Sequence, residues 1–324
     1  MKVVITGGTG FVGFRLAKRI LELGKLTGPD GQAHEIDSML LFDNVIPDLG
    51  PLDERVEVRA GDIADPAKTA RLIDRDDISV FHLASVVSGG GEKDFDLAMR
   101  VNLDGSRAVF EACRKRGSTP RMVFASTLAT FGGSAMPKTV GDTTKQVPQT
   151  TYGMTKAACE LMINDYTRKG FFDGRSARLP TVIIRPGKPN LALSGFASGI
   201  FREPLNGIDY VCAAGLETRM PVISVRMAVE GFIALHEAPG DAIGEDRAVG
   251  LPSLSVTVAE MIDSLQRVAG DRPLGAIKVE PDPLVESVCS TWPFYTDNSR
   301  ATSLGLPLDE SLDDIVRGYI EDYL

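Results

Sequence analysis

A tyrosine and a lysine suited to acid–base chemistry stand four positions apart in the segment YGMTK (residues 152–156). On a helix, residues at this spacing lie on one face about one turn apart, so the phenol of Tyr152 and the ammonium of Lys156 can share a site. A nearby cation favours the phenolate and lowers a tyrosine pKa from ~10 toward neutral pH. The pair is a candidate general base, although an exposed helical pair without a catalytic role would show the same spacing.

The segment FASTLATFG (residues 124–132) places two hydroxyl side chains, Ser126 and Thr127, directly after an apolar run. That run predicts a strand of a parallel sheet, and open α/β sheets bind ligands at the carboxyl ends of their strands. A hydroxyl at this edge can hold a substrate oxygen. Either Ser126 or Thr127 fits that role by its position.

A glycine-rich segment, TGGTGFVG (residues 6–13), follows the first predicted strand and opens the first predicted helix. In this context Gly7 permits a tight turn, Gly10 lets backbone N–H groups approach a pyrophosphate, and Gly13 allows close packing of helix on strand. The pattern predicts a dinucleotide site, whose loop contacts are expected from Gly7, Gly10, Phe11, Val12 and Gly13.

Carboxylates follow the next two predicted strands. Asp43 ends the second strand, where it can accept hydrogen bonds from the adenosine ribose and would repel a 2′-phosphate, which favours NAD over NADP. It lies further from the glycines than the ~20 residues that are typical, and a polar surface insert at residues 27–38 accounts for the excess. Asp62 and Ile63 can contact the adenine edge, but a turn-initiating role explains Asp62 equally well.

Apolar, β-branched runs alternate with segments of helical length, and strands apolar on both faces indicate a parallel sheet covered by helices. The predicted strands are residues 3–5, 39–42, 56–58, 80–83, 122–124 and 181–184, and the predicted helices are residues 11–24, 66–75, 93–116 and 152–169. This alternation predicts an α/β fold with a doubly wound parallel sheet of the Rossmann type.

The alternation ends near residue 186, beyond which Pro and Gly punctuate short strands around Val222 and Val249. We predict an NAD-binding Rossmann domain over residues 1–186 and a smaller α+β region over residues 187–324. That region is mainly substrate-binding, and some of its segments can return to the Rossmann core. A capping box at Thr257 predicts a helix start there, and a last helix is expected near residues 310–322.

The chain has 324 residues and a formal net charge of -9, which disfavours nucleic-acid binding because that depends on clustered Lys and Arg. No apolar run approaches the ~20 residues of a membrane-spanning helix. The segment MKVVIT (residues 1–6) is typical of a strand rather than of a signal peptide, so we expect a cytoplasmic protein. The 4 cysteines and 3 histidines lack metal-ligand spacing, so we expect buried free thiols and no metal.

The order of these motifs resembles the extended short-chain dehydrogenases, the NAD-dependent epimerase/dehydratase family, over residues 1 to about 187. The resemblance implies that Tyr152 is the catalytic acid/base, that Lys156 holds the nicotinamide ribose, and that Thr127 occupies the catalytic Ser/Thr position. Further cofactor contacts are implied for Leu83, Ala84, Ser85, Asn102 and Arg185.

Two departures from the family pattern, and one comparison with its dehydratases, bear on the activity. Phe131 stands where a tyrosine is often found, and Ser85 replaces a usual alanine; neither change removes a catalytic group. Leu128 and Ala129 follow Thr127 where the family's dehydratases carry acidic residues, so dehydration is not expected.

The segments RPGKPN (residues 185–190), SGFASGIFREPL (residues 194–205) and STWP (residues 290–293) resemble the D-erythronate dehydrogenase branch. That branch oxidises a four-carbon sugar acid at C2, which implies a small-molecule sugar-acid substrate. The candidate carboxylate ligands in residues 185–225 are Arg202, Arg219 and Asn190, with Ser198 as a neutral donor. Arginine suits this role because it grips carboxylates with two charge-assisted hydrogen bonds, although either arginine can equally be a surface residue or a structural ion-pair partner.

Two other functions remain open from sequence. A nucleotide-sugar epimerase would use the same tyrosine and lysine but retain its NAD, so net NADH release distinguishes it from a dehydrogenase. A non-catalytic NAD-sensing protein is disfavoured because Tyr152, Lys156 and both hydroxyls are present. The helices at residues 93–116 and 152–169 resemble those that form a dimer interface in the family, which implies a homodimer, although their apolar stripes also fit an ordinary core.

Overall fold

The computed structural model describes residues 1–189 and 192–324. Its strands are β1 Lys2–Thr6, β2 Lys25–Thr27, β3 Ala33–Glu35, β4 Ser38–Asp43, β5 Val56–Ala60, β6 Ile78–His82, β7 Arg121–Thr127, β8 Thr139–Val140, β9 Asp173–Leu179, β10 Thr181–Ile183, β11 Tyr210–Cys212, β12 Arg219–Ser224, β13 Ala248–Gly250, β14 Leu254–Thr257, β15 Ile277–Val279 and β16 Tyr295–Thr296. Its α-helices are α1 Phe11–Leu23, α2 Pro66–Ala70, α3 Ser88–Lys93, α4 Phe95–Ala98, α5 Gly105–Arg116, α6 Thr151–Arg168, α7 Phe196–Leu205, α8 Val225–Glu237, α9 Gly240–Ile243, α10 Val258–Ala269, α11 Pro283–Cys289, α12 Ser299–Ser303 and α13 Leu312–Tyr323.

The central sheet has seven strands in the order β13-β9-β7-β6-β1-β4-β5, all parallel. The chain therefore grows outward from β1 in both directions, which confirms the predicted doubly wound Rossmann sheet. The order reverses between β1 and β6, and a ligand crevice is expected outside the carboxyl ends of the strands at this switch point. The glycine loop (residues 6–13) leaves β1 there.

Both faces of the central sheet are buried, because alternate side chains of each strand enter different cores. On one face Val3 and Ile5 pack with α1 and α8, and on the other Val4 packs with α5 and α6. Helix α1 presents Leu16 and Ile20, four residues apart, to the first of these cores. The helices are thus fixed to the sheet, and their ends are held at its edge.

The C-terminal part has a core of its own, which includes Ile200 of α7, Met220 of β12, Met261 of α10 and Val316 of α13. Its main sheet has the order β10-β12-β14. The predicted capping box is confirmed: Thr257 Oγ1 accepts from Glu260 N at 3.1 Å, and Glu260 Oε2 accepts from Thr257 N at 2.6 Å. Strand β13, from the same part of the chain, joins the central sheet beside β9.

Three predicted elements differ from the structure. The helix predicted over residues 66–75 ends at Ala70. The run at residues 181–184 was predicted as a strand of the central sheet, but β10 lies in the second sheet and β9 takes that place. The sequence of β9, DGRSARL, looks polar, yet Arg175 and Arg178 are 0% and 4% exposed. Their charges are compensated by Asp173 and Glu160, so the polar strand is buried without unpaired charge.

The helix predicted over residues 93–116 is divided into α4, a π-helical turn Met99–Asp104 and α5. The π-helical turn carries Asn102, which is 1% exposed. Such turns often mark functional sites because they redirect a side chain out of the helical repeat. The polar insert at residues 27–38 folds as part of the antiparallel hairpin β2-β3.

No helix within the described residues combines the length and the apolar character that a membrane crossing requires.

Candidate active site

A cleft of about 440 Å³ opens at the carboxyl edge of the central sheet. We call it the cleft throughout. It is lined by the glycine loop, Leu83, Val87, Ser88, residues 127–129, Thr150, Tyr152, residues 179–182, Arg185, Pro189, residues 192–195, Ser198, Arg202, Met220, Pro221, Trp292 and Pro293.

Thr127 and Tyr152 meet in the cleft because two chain segments approach closely. Thr127 ends β7, and its Oγ1 accepts from Ala129 N at 3.1 Å, which starts a 3-10 turn. Tyr152 lies in the first turn of α6, where the Thr150 hydroxyl accepts from Gly153 N at 3.0 Å. A Cβ on Gly153 would lie 2.0 Å from the Ala129 carbonyl oxygen, so only glycine allows this contact. Thr127 and Tyr152 both line the cleft, and the Thr127 side chain lies close enough to the Tyr152 phenol to lower its pKa.

Lys156 lies behind the phenol rather than in the cleft. It is 2% exposed, and its Nζ donates to Ala125 O at 2.7 Å and lies 5.7 Å from the centroid of the Tyr152 ring. Burial raises the pKa of Tyr152 to about 12, which the Thr127 side chain opposes, and burial lowers the pKa of Lys156 to about 8. The phenol is therefore protonated at neutral pH unless further positive charge stabilises its phenolate.

Ser126 has a different environment from its neighbour Thr127. It is 1% exposed, its hydroxyl donates to Glu160 of α6, and it does not line the described part of the cleft. Arg178 of β9 pairs with the same carboxylate at 2.8 Å. Sequence reasoning missed Glu160 and Arg178, although Glu160 follows Lys156 by four residues on one helical face.

Asn102 fixes the loop that follows β6. Its Oδ1 accepts from Val86 N at 2.7 Å and from Ser85 Oγ at 3.2 Å, and its Nδ2 donates to Val86 O at 3.1 Å. Nearby, His82 bridges Thr6 Oγ1 at 2.6 Å and Ser106 Oγ at 2.9 Å. Burial lowers the pKa of His82 to about 3, so this imidazole is neutral and serves as a structural hydrogen-bonding group. Asn102 and His82 thus position backbone that includes Leu83 and Ala84.

The glycine loop has the geometry that a dinucleotide pyrophosphate requires. A Cβ on Gly13 would lie 2.2 Å from Gly7 O, and one on Gly7 would lie 2.8 Å from Ala84 N, so both positions demand glycine. Helix α1 begins after Gly10 with no side-chain cap, and its first N–H groups stay available for an anion. Phe11 and Val12 of this helix line the cleft. The loop therefore fits NAD.

Asp43 stands beside the glycine loop at the end of β4. Its Oδ2 accepts from Thr9 Oγ1 at 2.9 Å, and its Oδ1 accepts from Asn44 N at 2.8 Å. Oδ2 also accepts from Thr9 N at 3.3 Å, whereas Oδ1 has a further lone pair and can still accept from a ribose hydroxyl. This placement suits the adenosine end of NAD.

Asp62 accepts from Ala64 N at 2.9 Å and pairs with Arg100. Both contacts lower the pKa of the Asp62 carboxyl, and the hydrogen bond from Ala64 has the larger effect. Ile63 beside it is 5% exposed. Asp62 therefore initiates a turn in this structure, and its contact with adenine stays a prediction.

The predicted carboxylate ligands separate into different environments. Arg202 and Ser198 of α7 line the cleft, as does Arg185 before it. Arg219 does not: its Nη1 donates to Ser255 O at 3.1 Å, and its guanidinium lies 5.5 Å from the Tyr295 ring centroid. Its placement on β12 toward β14 does not support a substrate contact. Asn190 lies outside the described residues.

Trp292 is a cleft residue that was noted in sequence only as part of a branch motif. Its ring stacks on Phe196 with centroids 6.4 Å apart. Within residues 1–189 and 192–324, no group of three or more His, Cys, Asp or Glu side chains is placed to hold a metal ion.

Comparison with known proteins places this geometry among oxidoreductases and epimerases. A family model described as the NAD dependent epimerase/dehydratase family matches residues 3–250. A D-erythronate dehydrogenase from Cupriavidus necator is 48% identical over 322 residues, which cover 99% of this chain and 98% of the relative. A second D-erythronate dehydrogenase, from Haemophilus influenzae, is 41% identical over 321 residues, or 99% of each chain.

A solved structure supports the same grouping. The nucleoside-diphosphate-sugar epimerase from Agrobacterium tumefaciens superposes with a TM-score of 0.91 at 38% identity, covering 100% of this chain and 94% of the other. The similarity extends through the C-terminal part as well as the Rossmann sheet.

Proposed function

The chain belongs to the NAD dependent epimerase/dehydratase family, and on that premise we propose that it oxidises the C2 hydroxyl of D-erythronate to 2-dehydro-D-erythronate with NAD. The observation that carries this proposal is the full-length similarity to relatives named D-erythronate dehydrogenase, at 48% and 41% identity. It is supported by Thr127 and Tyr152 in the cleft and by Lys156 behind the Tyr152 ring.

The proposed roles follow from the contacts of these side chains. NAD, when bound, supplies the electron-accepting nicotinamide ring. Tyr152 as phenolate takes the proton of the C2 hydroxyl, and Thr127, which lines the same cleft, orients the same oxygen. Lys156 supplies the positive charge behind the ring that favours the phenolate. Asn102 holds the loop after β6 against the nucleotide side of the cleft.

The test is net NADH formation from D-erythronate, read by absorbance with a screen of four- to six-carbon sugar acids alongside. A nucleotide-sugar epimerase is the second candidate, because a structural relative carries that description at 38% identity. An epimerase would convert a nucleotide sugar at constant NAD. Such conversion, without NADH from any sugar acid, would overturn the proposed dehydrogenase.

Thr127→Val should lower kcat about tenfold or more, because it removes the hydroxyl that orients the reacting oxygen and keeps the side-chain shape. Ser126→Ala should leave kcat within about threefold and instead destabilise the fold by roughly 2 kcal/mol, since Glu160 loses a buried hydrogen bond. Steady-state kinetics and thermal unfolding of both variants separate the two hydroxyls. The reverse pattern would assign catalysis to Ser126.

Asp43→Asn should narrow the preference for NAD over NADP about tenfold. The substitution keeps one acceptor oxygen, which can serve the Thr9 hydroxyl, and replaces the acceptor of Asn44 N by an NH2 group. It removes the charge that repels a 2′-phosphate. The ratio of kcat/KM for the two cofactors is the measurement, with Asp48→Asn in the exposed loop beyond β4 as control. An unchanged ratio would mean that Asp43 is only a partner of Thr9.

We propose a homodimer formed through the surface of α4 and α6. Phe95 and Leu161 on these helices are 57% and 66% exposed, and because α4 packs on α6 the two side chains can contribute to one apolar patch that a second copy would cover. Light scattering should give twice the chain mass of 34.8 kDa, and Leu161→Arg should give the monomer mass. A monomeric wild-type protein would contradict the proposal.

We also propose that the protein acts in the cytoplasm. All four cysteines are free and buried, as is usual where thiols are kept reduced.

A further inference from the structure

The charged side chains that line the described part of the cleft all carry the same sign. Arg185 and Arg202 are the arginines there, and no Asp or Glu accompanies them among the described lining residues. The chain as a whole has a formal net charge of -9. The positive charges in the cleft attract an anionic ligand, whereas the acidic surface around the cleft repels it. The cleft is therefore the place where an anion binds most favourably.

The two arginines differ in how far their charge is already compensated. Arg202 is 5% exposed and pairs with Glu203, to which its Nε donates at 2.9 Å. Its Nη1 donates to the Arg185 carbonyl oxygen at 2.9 Å. The guanidinium of Arg202 therefore holds the backbone of Arg185 and has little left to offer a ligand.

Arg185 has no such compensation within the described residues. Its Nη1 is buried without a hydrogen-bond partner there, and no described carboxylate lies within 4.0 Å of its guanidinium. Its backbone is fixed on both sides, since its N donates to Ser198 Oγ at 3.1 Å and its O accepts from Arg202. A buried, permanently charged donor without a partner is unfavourable, so the arrangement is completed by an acceptor that arrives with a ligand.

We propose that Arg185 binds the carboxylate of the sugar-acid substrate, with Ser198 and Arg202 as the positioning residues that hold it; this inference rests on the proposed function. In a 2-hydroxy acid the carboxylate is bonded directly to C2. A guanidinium that grips the two carboxylate oxygens thus also fixes the C2 oxygen, the atom that Tyr152 and Thr127 must reach. The assignment moves Arg185 from the cofactor contact implied by family resemblance to substrate recognition.

The experiment compares D-erythronate with D-erythronamide, which keeps the C2 hydroxyl and lacks the negative charge. The variants are Arg185→Met and Arg185→Lys, and Arg219→Met outside the cleft is the matched control. Binding of NAD and of each compound is followed separately by the fluorescence of Trp292, the single tryptophan of the chain, which lines the cleft. This second readout does not require turnover.

We expect Arg185→Met to lower kcat/KM for D-erythronate at least tenfold while kcat/KM for the amide changes by less than about threefold, with NAD affinity unchanged. Arg185→Lys should recover part of the preference for D-erythronate over D-erythronamide, and Arg219→Met should keep all of that preference. Equal losses for acid and amide, or a loss confined to NAD affinity, would overturn the assignment.

A failure of the proposed function gives a different result from a failure of Arg185. If the wild-type protein forms no NADH from D-erythronate, the proposed reaction is wrong. The fluorescence titration then tests separately whether Arg185 binds the carboxylate. If Arg185→Met loses the sugar-acid binding that the wild-type protein shows, the assignment of Arg185 to the carboxylate still holds. Sugar-acid binding that is absent in wild type, or equal in wild type and Arg185→Met, would remove it.

Discussion

Tyr152→Phe is expected to lower kcat by about 10²-fold or more while NAD still binds. The substitution deletes one oxygen, the group proposed to take the proton from the C2 hydroxyl, and general base catalysis contributes ~10²–10⁴-fold. The substitution leaves Gly153 in place, whose backbone packs the first turn of α6 against the Ala129 carbonyl. Stopped-time NADH assays and Trp292 fluorescence with NAD measure the two quantities separately.

Tyr166→Phe on the same helix is the matched control. Its hydroxyl donates to Glu111 Oε1 at 2.6 Å, so this change also removes a tyrosine hydrogen bond, but at the face of α6 that packs on α5. We expect Tyr166→Phe to affect stability and to leave kcat within about threefold. A Tyr152→Phe enzyme with near-wild-type turnover would exclude Tyr152 from the chemistry.

The places of the residues expected to bind the nucleotide followed from sequence because their requirements are local, and their contacts with NAD stay predictions. The glycines of the loop are required where a Cβ atom would clash with nearby backbone. At Gly13 the clash would be with the carbonyl oxygen of Gly7, six residues earlier. Asp43 follows from the end of an apolar strand. The relation of Tyr152 to Lys156 depends only on helical spacing. Each of these inferences needs only one helix or strand and the spacing of residues along it, and none needs the tertiary fold.

The substrate half was less predictable because its residues are sorted by contacts between distant segments. Arg202 and Arg219 are equivalent candidates by composition, and only the fold shows that Glu203 pairs with Arg202 and that Arg219 lies against Tyr295. Ser126 and Thr127 are adjacent, yet the alternation of β7 sends one to Glu160 and the other to the cleft. The role of each polar side chain in this half of the site therefore depends more on its partner in the fold than on its residue type.

Lys156→Met is expected to move the pH–rate profile of D-erythronate oxidation to higher pH and to weaken NAD binding. The active form of Tyr152 is the phenolate, so the rate rises with pH as that form accumulates. Burial has already raised the pKa of Tyr152 to about 12, and a cation nearby lowers such a pKa by about 1–3 units. Without the Lys156 charge the rate at neutral pH should fall about 10-fold to 10³-fold.

Lys169→Met, at the exposed end of the same helix, controls for the loss of one positive charge from α6. Because burial lowers the pKa of Lys156 to about 8, the wild-type lysine itself begins to lose its charge above that pH. The difference between Lys156→Met and wild type should therefore be largest below about pH 8 and diminish above it. A constant difference across the range would show that Lys156 acts through NAD binding or packing rather than through its charge on the phenol.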